Sequence, residues 1–203
     1  MACICYSTYL ILVQHACVQF SVLILNIRQP FGKYNFADKT LYDEINQEDW
    51  IVDIITRYLR ITKFVELINN LSRIIYLVGI SFSMVLIFFN VLYILQLFTI
   101  LQSASETFEC IIVIIGSLFS IYINFYIGQM LINHNRAAFE ELCHVPFYMI
   151  PIKIQKMMLF IIARSMRPCE LSIGGIFVAS HEIFAGLLQK AFSFAIVYYN
   201  RYN

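Results

Sequence analysis

The sequence predicts an all-α integral membrane protein, a helical transmembrane bundle with a cytoplasmic helical anchor. Three observations predict it. Of 203 residues, 60% are hydrophobic and 13% charged, and the mean hydropathy is +0.73, outside the range of soluble domains. The stretches 1–27, 74–105 and 110–135 contain no Asp, Glu, Lys or Arg, and 171–199 contains only Glu182 and Lys190 among strongly charged residues. Each is long enough for a helix to cross a hydrocarbon core of about 30 Å, which takes about 20 residues. Finally, lipid offers the backbone no hydrogen bonds, so apolar crossings of this length satisfy themselves as helices.

Taken in order, 1–27 reads as the first crossing. A secretory signal would have a basic start, a short apolar region and a small-residue cleavage site, and 1–27 lacks the basic start and is too long. A chain opening directly on such a crossing implies further sequence upstream. Residues 28–73 read as a cytoplasmic helical connection, because Ile51, Ile54, Ile55, Tyr58, Leu59, Thr62 and Val65 recur at helical spacing. TLYD at 40–43 resembles a capping box with Asp in place of Glu, so a helix is expected from about Leu41 into the second crossing, 74–101. That crossing is longer than a bilayer needs and should tilt or protrude. An extracellular loop, 102–109, leads to a third crossing, 110–133. A cytoplasmic loop and amphipathic helix follow over 134–168, with Lys153, Lys156, Arg164 and Arg167 punctuating the apolar residues of 152–167. Pro168 lacks a backbone donor and should break that helix. The last crossing is expected over 169–199, with an extracellular tail at 200–203.

Charge sets the orientation. Arg28, Lys33, Lys39, Arg57, Arg60, Lys63 and Arg73 lie between the first two crossings, and Arg136, Lys153, Lys156, Arg164 and Arg167 between the last two. The short connection around Glu106 and Glu109 has no Lys or Arg. Cytoplasmic loops are enriched in Lys and Arg, so both long connections are expected inside and the termini outside. The net charge of +1 gives no argument for nucleic acid.

No enzyme signature is visible: no Gly-rich phosphate loop, no HExxH and no nucleophile elbow. The expectation is no catalytic residue, no metal and no cofactor. Glu140 and Glu141 are sequence neighbours and point to different helix faces, as on a solvated helix. The cysteines Cys3, Cys5, Cys17, Cys110, Cys143 and Cys169 show no metal-ligand spacing and sit mostly in or beside crossings, which argues against a disulfide framework. The histidines pair with no Cys or carboxylate at zinc spacing.

The last crossing carries the strongest functional pattern. On a helix, Glu182, Gly186, Gln189, Ser193, Val197 and Asn200 share one stripe, opposite Ile176, Phe177, Phe184, Leu187, Leu188, Phe192, Phe194 and Ile196. Two readings fit it. The stripe lines an ion pathway, with an apolar ring such as Val197 able to close it by dewetting; or it packs against neighbouring helices through Gly, Ser and Gln contacts, with no pore.

The runs IGQMLINHNRAAFEEL, PFYMIPIKIQKMMLFIIARSMRPCELSIGGIF and ASHEIFAGLLQKAFSFAIVYY resemble the C-terminal part of insect odorant receptors. The resemblance rests on Gly128-Gln129, the basic IKIQKMMLFIIARS helix, Pro168 followed by Gly174-Gly175 and Phe177, and the segment from Phe184 to Tyr199. The related gustatory receptors usually end in Thr-Tyr, five apolar residues and Gln-Phe, and this chain has Ser193-Phe194 and NRYN instead, which favours the odorant branch.

The resemblance implies a seven-span protein, here N-terminally truncated to its last four spans. It implies an odorant-gated cation channel subunit, partnered in a hetero-tetramer with an odorant receptor co-receptor, in the plasma membrane of an olfactory sensory neuron. Its ligands would be volatile small-molecule odorants, its surroundings the lipid bilayer, with no nucleic acid partner. The anchor through which subunits assemble would be built from 41–70 and 150–167. Glu182, Gln189, Ser193 and Asn200 would line the pore, with Val197 at the gate. Arg201 departs from that pattern, since a cation near the mouth of a cation-permeable pore raises the entry barrier. Odorant-binding positions would be Tyr6, Tyr9 and Val13 of the first crossing and Ile112, Ile115, Phe119 and Tyr122 of the third, where aromatic rings offer apolar area and a hydroxyl. The same residues also suit ordinary bundle packing. Two rivals to sensing remain: a structural or regulatory subunit that assembles without responding, and a small transporter, for which the chain shows no inverted repeat.

Overall fold

The computed structural model describes residues 2–33, 41–100 and 104–202. Five α-helices make up almost all of it: α1 (Ala2–Lys33), α2 (Leu41–Ile100), α3 (Ala104–His144), α4 (Ile152–Ser165) and α5 (His181–Tyr202). A 3-10 turn, Phe147–Met149, precedes α4, and strands β1 (Ser172–Ile173) and β2 (Phe177–Val178) precede α5. Among the described residues three stretches are long and apolar enough to cross a membrane: Ser7–Arg28, Tyr76–Tyr93 and Ile111–His144. The chain is an all-α membrane protein.

The residues fall into two compact units. The first holds residues 1–70 and 130–171. In it α1 buries Val13, Ala16, Cys17, Phe20, Leu23 and Ile27, a single helical stripe. The start of α2 buries Ile51, Ile54, Tyr58, Ile61, Val65 and Ile68 at alternating steps of three and four, and exposes Asp53, Arg57, Arg60 and Lys63 on its other side. The two helices run antiparallel. His15 meets Phe64 with ring centroids 5.9 Å apart, Phe20 meets Tyr58 at 6.2 Å, and the Trp50 indole donates to the Asn26 carbonyl at 3.0 Å. Boundaries drawn from charge at 27 and 28 therefore divide stretches that pack side by side.

The end of α3 adds Leu131, Asn135, Ala138 and Leu142 to this core, and α4 adds Ile154, Met158, Ile161 and Ser165. Tyr58 Oη donates to Asn135 Oδ1 at 3.3 Å inside it. Gln155 fixes the start of α4 by donating to the Phe147 and Ile150 carbonyls at 2.9 and 2.8 Å. Lys153 pairs with Glu48 at 2.8 Å, and Arg28 pairs with Glu141. Both pairs are solvent-exposed, and water screens them so that they contribute little to stability.

The second unit holds residues 71–129 and 172–203. Here the exposed side chains change character. Ile74, Val78, Phe82, Val85 and Phe89 of α2 and Ile111 and Val113 of α3 are all exposed. That much exposed apolar area is unfavourable in water and at ease in lipid.

Several boundaries expected from the sequence are corrected. The last crossing does not begin at 169: residues 169–171 are irregular, 172–178 form a hairpin, and the helix starts at His181. The reason is the Gly174-Gly175 pair, with φ of 67° and 75°. Two successive positive φ values make a type I′ turn, closed by the Ile176 amide donating to the Ile173 carbonyl at 3.2 Å, and pair Ser172 with Val178 and Ile173 with Phe177. Ile176 and Phe177 thus belong to the hairpin, not to the apolar face of a helix. With Glu182, Gln189 and Lys190 along its length, α5 is not among the three apolar stretches. Residues 104–109 are the first turns of α3, so the expected loop over 102–109 is shorter, its positions 102 and 103 lying outside the described residues. Residues 134–144 continue α3 instead of forming a loop, and residues 200–202 continue α5 where an extracellular tail was expected. The expected capping Thr40 lies outside the described residues, and α2 begins at Leu41.

Candidate functional site

The second unit positions α5 through a contact that explains Gly128-Gln129. A Cβ at Gly128 would run into the Cβ and carbonyl oxygen of Ala179, so only glycine lets α3 come this close to the chain entering α5. One residue on, the Gln129 side-chain oxygen accepts the His181 backbone N–H at 3.3 Å. Ser180 caps the helix: its hydroxyl accepts the Ile183 N–H at 3.4 Å and its carbonyl the Phe184 N–H at 3.1 Å. First-turn amides have no intrahelical acceptor, and these oxygens supply one. Glu182 sits in the same turn, where the helix dipole favours a carboxylate.

The hairpin rests on side chains of α2, which can shift more readily than backbone. A Cβ at Gly174 would strike Leu77, and one at Gly175 would strike the Arg73 guanidinium. Their positive φ already favours glycine.

Above that entrance lies an aromatic cluster. Tyr122 stacks on His181 with centroids 6.0 Å apart and planes 16° from parallel, and meets Phe184 edge-on at 5.6 Å. Tyr126 lies 6.1 Å from His181, and Phe125 5.6 Å from Phe184. Asn124 is buried nearby on α3. Its Nδ2 donates to the Ser120 carbonyl at 2.8 Å, and its Oδ1 has no partner among the described residues. Tyr122 is legible in the sequence and His181 is not, because nothing local marks a histidine that a glycine contact and a hairpin deliver to the start of a helix.

The expected pore positions Glu182, Gln189, Ser193, Val197 and Asn200 are all exposed along α5, Val197 at 61%. Ala195, on the other side, is fully buried. The expected odorant positions divide between the units. Val13 is fully buried in the first and Tyr9 half-buried there; the side chain of Tyr6 lies outside the described residues. Ile112, Ile115, Phe119 and Tyr122 form one exposed stripe of α3 in the second.

A groove of about 540 Å³ also opens between α2 and α5 within the second unit, walled by Met84, Val85 and Phe88 on one side and Leu187, Ala191, Phe194 and Tyr198 on the other, with Val197 and Arg201 at its edge. Among the described residues, no group of His, Cys, Asp and Glu is placed to hold a metal.

Fold and site define an all-α membrane protein whose terminal helix carries a polar stripe and starts beside an aromatic cluster. The comparison with known families makes that specific: the model of the 7tm Odorant receptor family matches residues 1–192, and the chain belongs to that family. The match ends at Phe192, so Ser193, Val197 and Asn200 lie beyond it. Comparison with curated proteins returns no match.

Proposed function

We propose that this odorant receptor works as an odorant-gated cation channel subunit, assembled with a co-receptor as a hetero-tetramer in the plasma membrane of olfactory sensory neurons. The observation that carries the reading is the exposed stripe of α5. Glu182, Gln189, Ser193 and Asn200 stay uncovered while Ala195 is buried. Hydrocarbon cannot satisfy such groups, whereas a water-filled path between subunits can. Val197 on the same stripe supplies an apolar ring that closes the path by dewetting.

Ile112, Ile115, Phe119 and Tyr122 form the odorant-facing wall. Tyr122 touches both His181 and Phe184, so a ligand that displaces its ring acts directly on the first turn of α5. Volatile apolar molecules suit the wall because it offers aromatic and aliphatic area with a single hydroxyl.

Co-expression with the co-receptor and whole-cell recording tests the proposal. The expected result is an odorant-evoked cation current whose conductance, selectivity or closure changes in Gln189→Ala, Ser193→Ala and Val197→Ala. Currents indistinguishable from the unaltered channel in all three would end the pore reading. A packing reading of the stripe draws support from Gly186 and Ser193, small residues of the kind that join helices in lipid; it predicts assembly with the co-receptor and no current.

A further inference from the structure

Arg201 has no role in a cation pathway, and the groove between α2 and α5 gives it one. Arg201, one helical turn after Val197, lies at the margin of the polar stripe. It stands at the edge of a cavity whose walls are Met84, Phe88, Leu187, Phe194 and their neighbours. None of the residues lining that cavity is acidic, and among the described residues Arg201 forms no ion pair. The remaining walls offer hardly any polar atom besides the Tyr198 hydroxyl.

We infer that this groove binds a membrane-resident, single-chain lipid carboxylate, its head on the Arg201 guanidinium and its acyl chain along Met84, Phe88, Leu187 and Phe194. Charge complementarity selects an anion, because a planar guanidinium pairs a carboxylate through two parallel N–H donors. The apolar walls select a hydrocarbon tail. The volume, about 540 Å³ and within the range of about 300–1,000 Å³ typical of ligand pockets, accommodates a single hydrocarbon chain.

The site has a consequence that rests on the channel reading above. A bound carboxylate neutralises Arg201, a cation at the margin of the polar stripe, and the tail packs against Val197. The lipid anion then raises the odorant-evoked current.

Binding is tested apart from current. The purified chain in nanodiscs is titrated with a fluorescent conjugated-polyene fatty acid and with the corresponding alcohol. The acid should bind at least tenfold more tightly than the alcohol, and Arg201→Gln should remove about that tenfold while leaving the alcohol unchanged. Ala191→Phe, which fills the groove, should weaken both; Leu187→Phe serves if that variant is poorly folded by circular dichroism. Equal binding of acid and alcohol, or binding untouched by Arg201→Gln, overturns the site, as does crosslinking of two copies through Phe194→Cys that the acid does not compete. If binding follows the expectation and no current appears with the co-receptor, the lipid site stands and the channel reading falls.

Discussion

At the scale of single residues, two glycines with the same sequence context carry opposite expectations. Gly116 and Gly128 both lie inside α3, and replacing a helical glycine by alanine normally gains about 0.8–1.0 kcal/mol. At Gly116 no atom lies within reach of a new Cβ, so Gly116→Ala should stabilise by about that amount. At Gly128 the new Cβ meets the backbone of Ala179, which cannot rotate aside. Overpacking of about 1–3 kcal/mol then exceeds the propensity gain, and Gly128→Ala should lower the melting temperature that Gly116→Ala raises, both followed by circular dichroism in detergent. Neither outcome follows from the sequence, where each glycine sits in an apolar run.

Tyr58 gives a pH-dependent expectation. Burial, reinforced by Cys169 and opposed by Arg164, pushes its hydroxyl from 10.0 up to about 12. The folded state therefore holds the proton more tightly than the unfolded state. Its contribution is intact below pH 10 and is lost as pH rises from 10 to 12, at up to about 1.4 kcal/mol per pH unit. Tyr58→Phe should flatten that alkaline limb and, by leaving the buried Asn135 Oδ1 without its donor, lower stability at neutral pH by about 1–3 kcal/mol. Unfolding followed at stepped alkaline pH checks both.

At the scale of elements, α1 and the first half of α2 cannot be assigned separately. Their antiparallel pairing puts Asp53, Arg57, Arg60 and Lys63 at the level of residues 15–26 of α1. Each charge held in hydrocarbon is unfavourable by about 2.5–3.5 kcal/mol. The outward side chains Val18, Val22 and Leu25 are only about half exposed and gain at most about half of the 1.5–3 kcal/mol that full burial brings. The charges win, and this level belongs in water. In a background with Cys143→Ser, a cysteine at Val22 should react with a membrane-impermeant maleimide from the cytoplasmic side, and one at Phe82 should not. Protection at Val22 equal to that at Phe82 would return α1 to the bilayer.

Composition alone could not reveal this, because an apolar stripe that packs on another helix and one that faces lipid are written with the same residues. The hairpin was more nearly legible. Gly-Gly between Ser-Ile and Ile-Phe is a type I′ signal, but the long apolar run around it outweighed two residues of turn chemistry. The helical character of 51–65 and of 152–165 is legible for the opposite reason: their buried residues recur at helical spacing against charged neighbours, a contrast that lipid-facing helices lack.

At the scale of the whole molecule, orientation rests on the Lys and Arg excess of residues 28–73 and 134–168. The chain has one glycosylation sequon, Asn70-Leu71-Ser72, at an exposed asparagine of α2. With both connections inside, it should remain unmodified in a eukaryotic host. A glycan at Asn70, read as a mobility shift removed by glycosidase, would reverse the orientation.

The amino-acid sequence determined the class of protein by itself: apolar runs too long for a soluble core dictate membrane helices, and the motifs after Gly128 carry the family. It also placed Glu182, Gln189, Ser193, Val197 and Asn200 on one stripe, because helical periodicity is local. Tertiary structure alone decided where α5 begins, which side of it is covered, how His181 joins Tyr122, and that Arg201 borders a groove. Those facts depend on residues far apart in the chain, Gly128 against Ala179 and Met84 near Leu187, and no local spacing encodes a contact between distant segments.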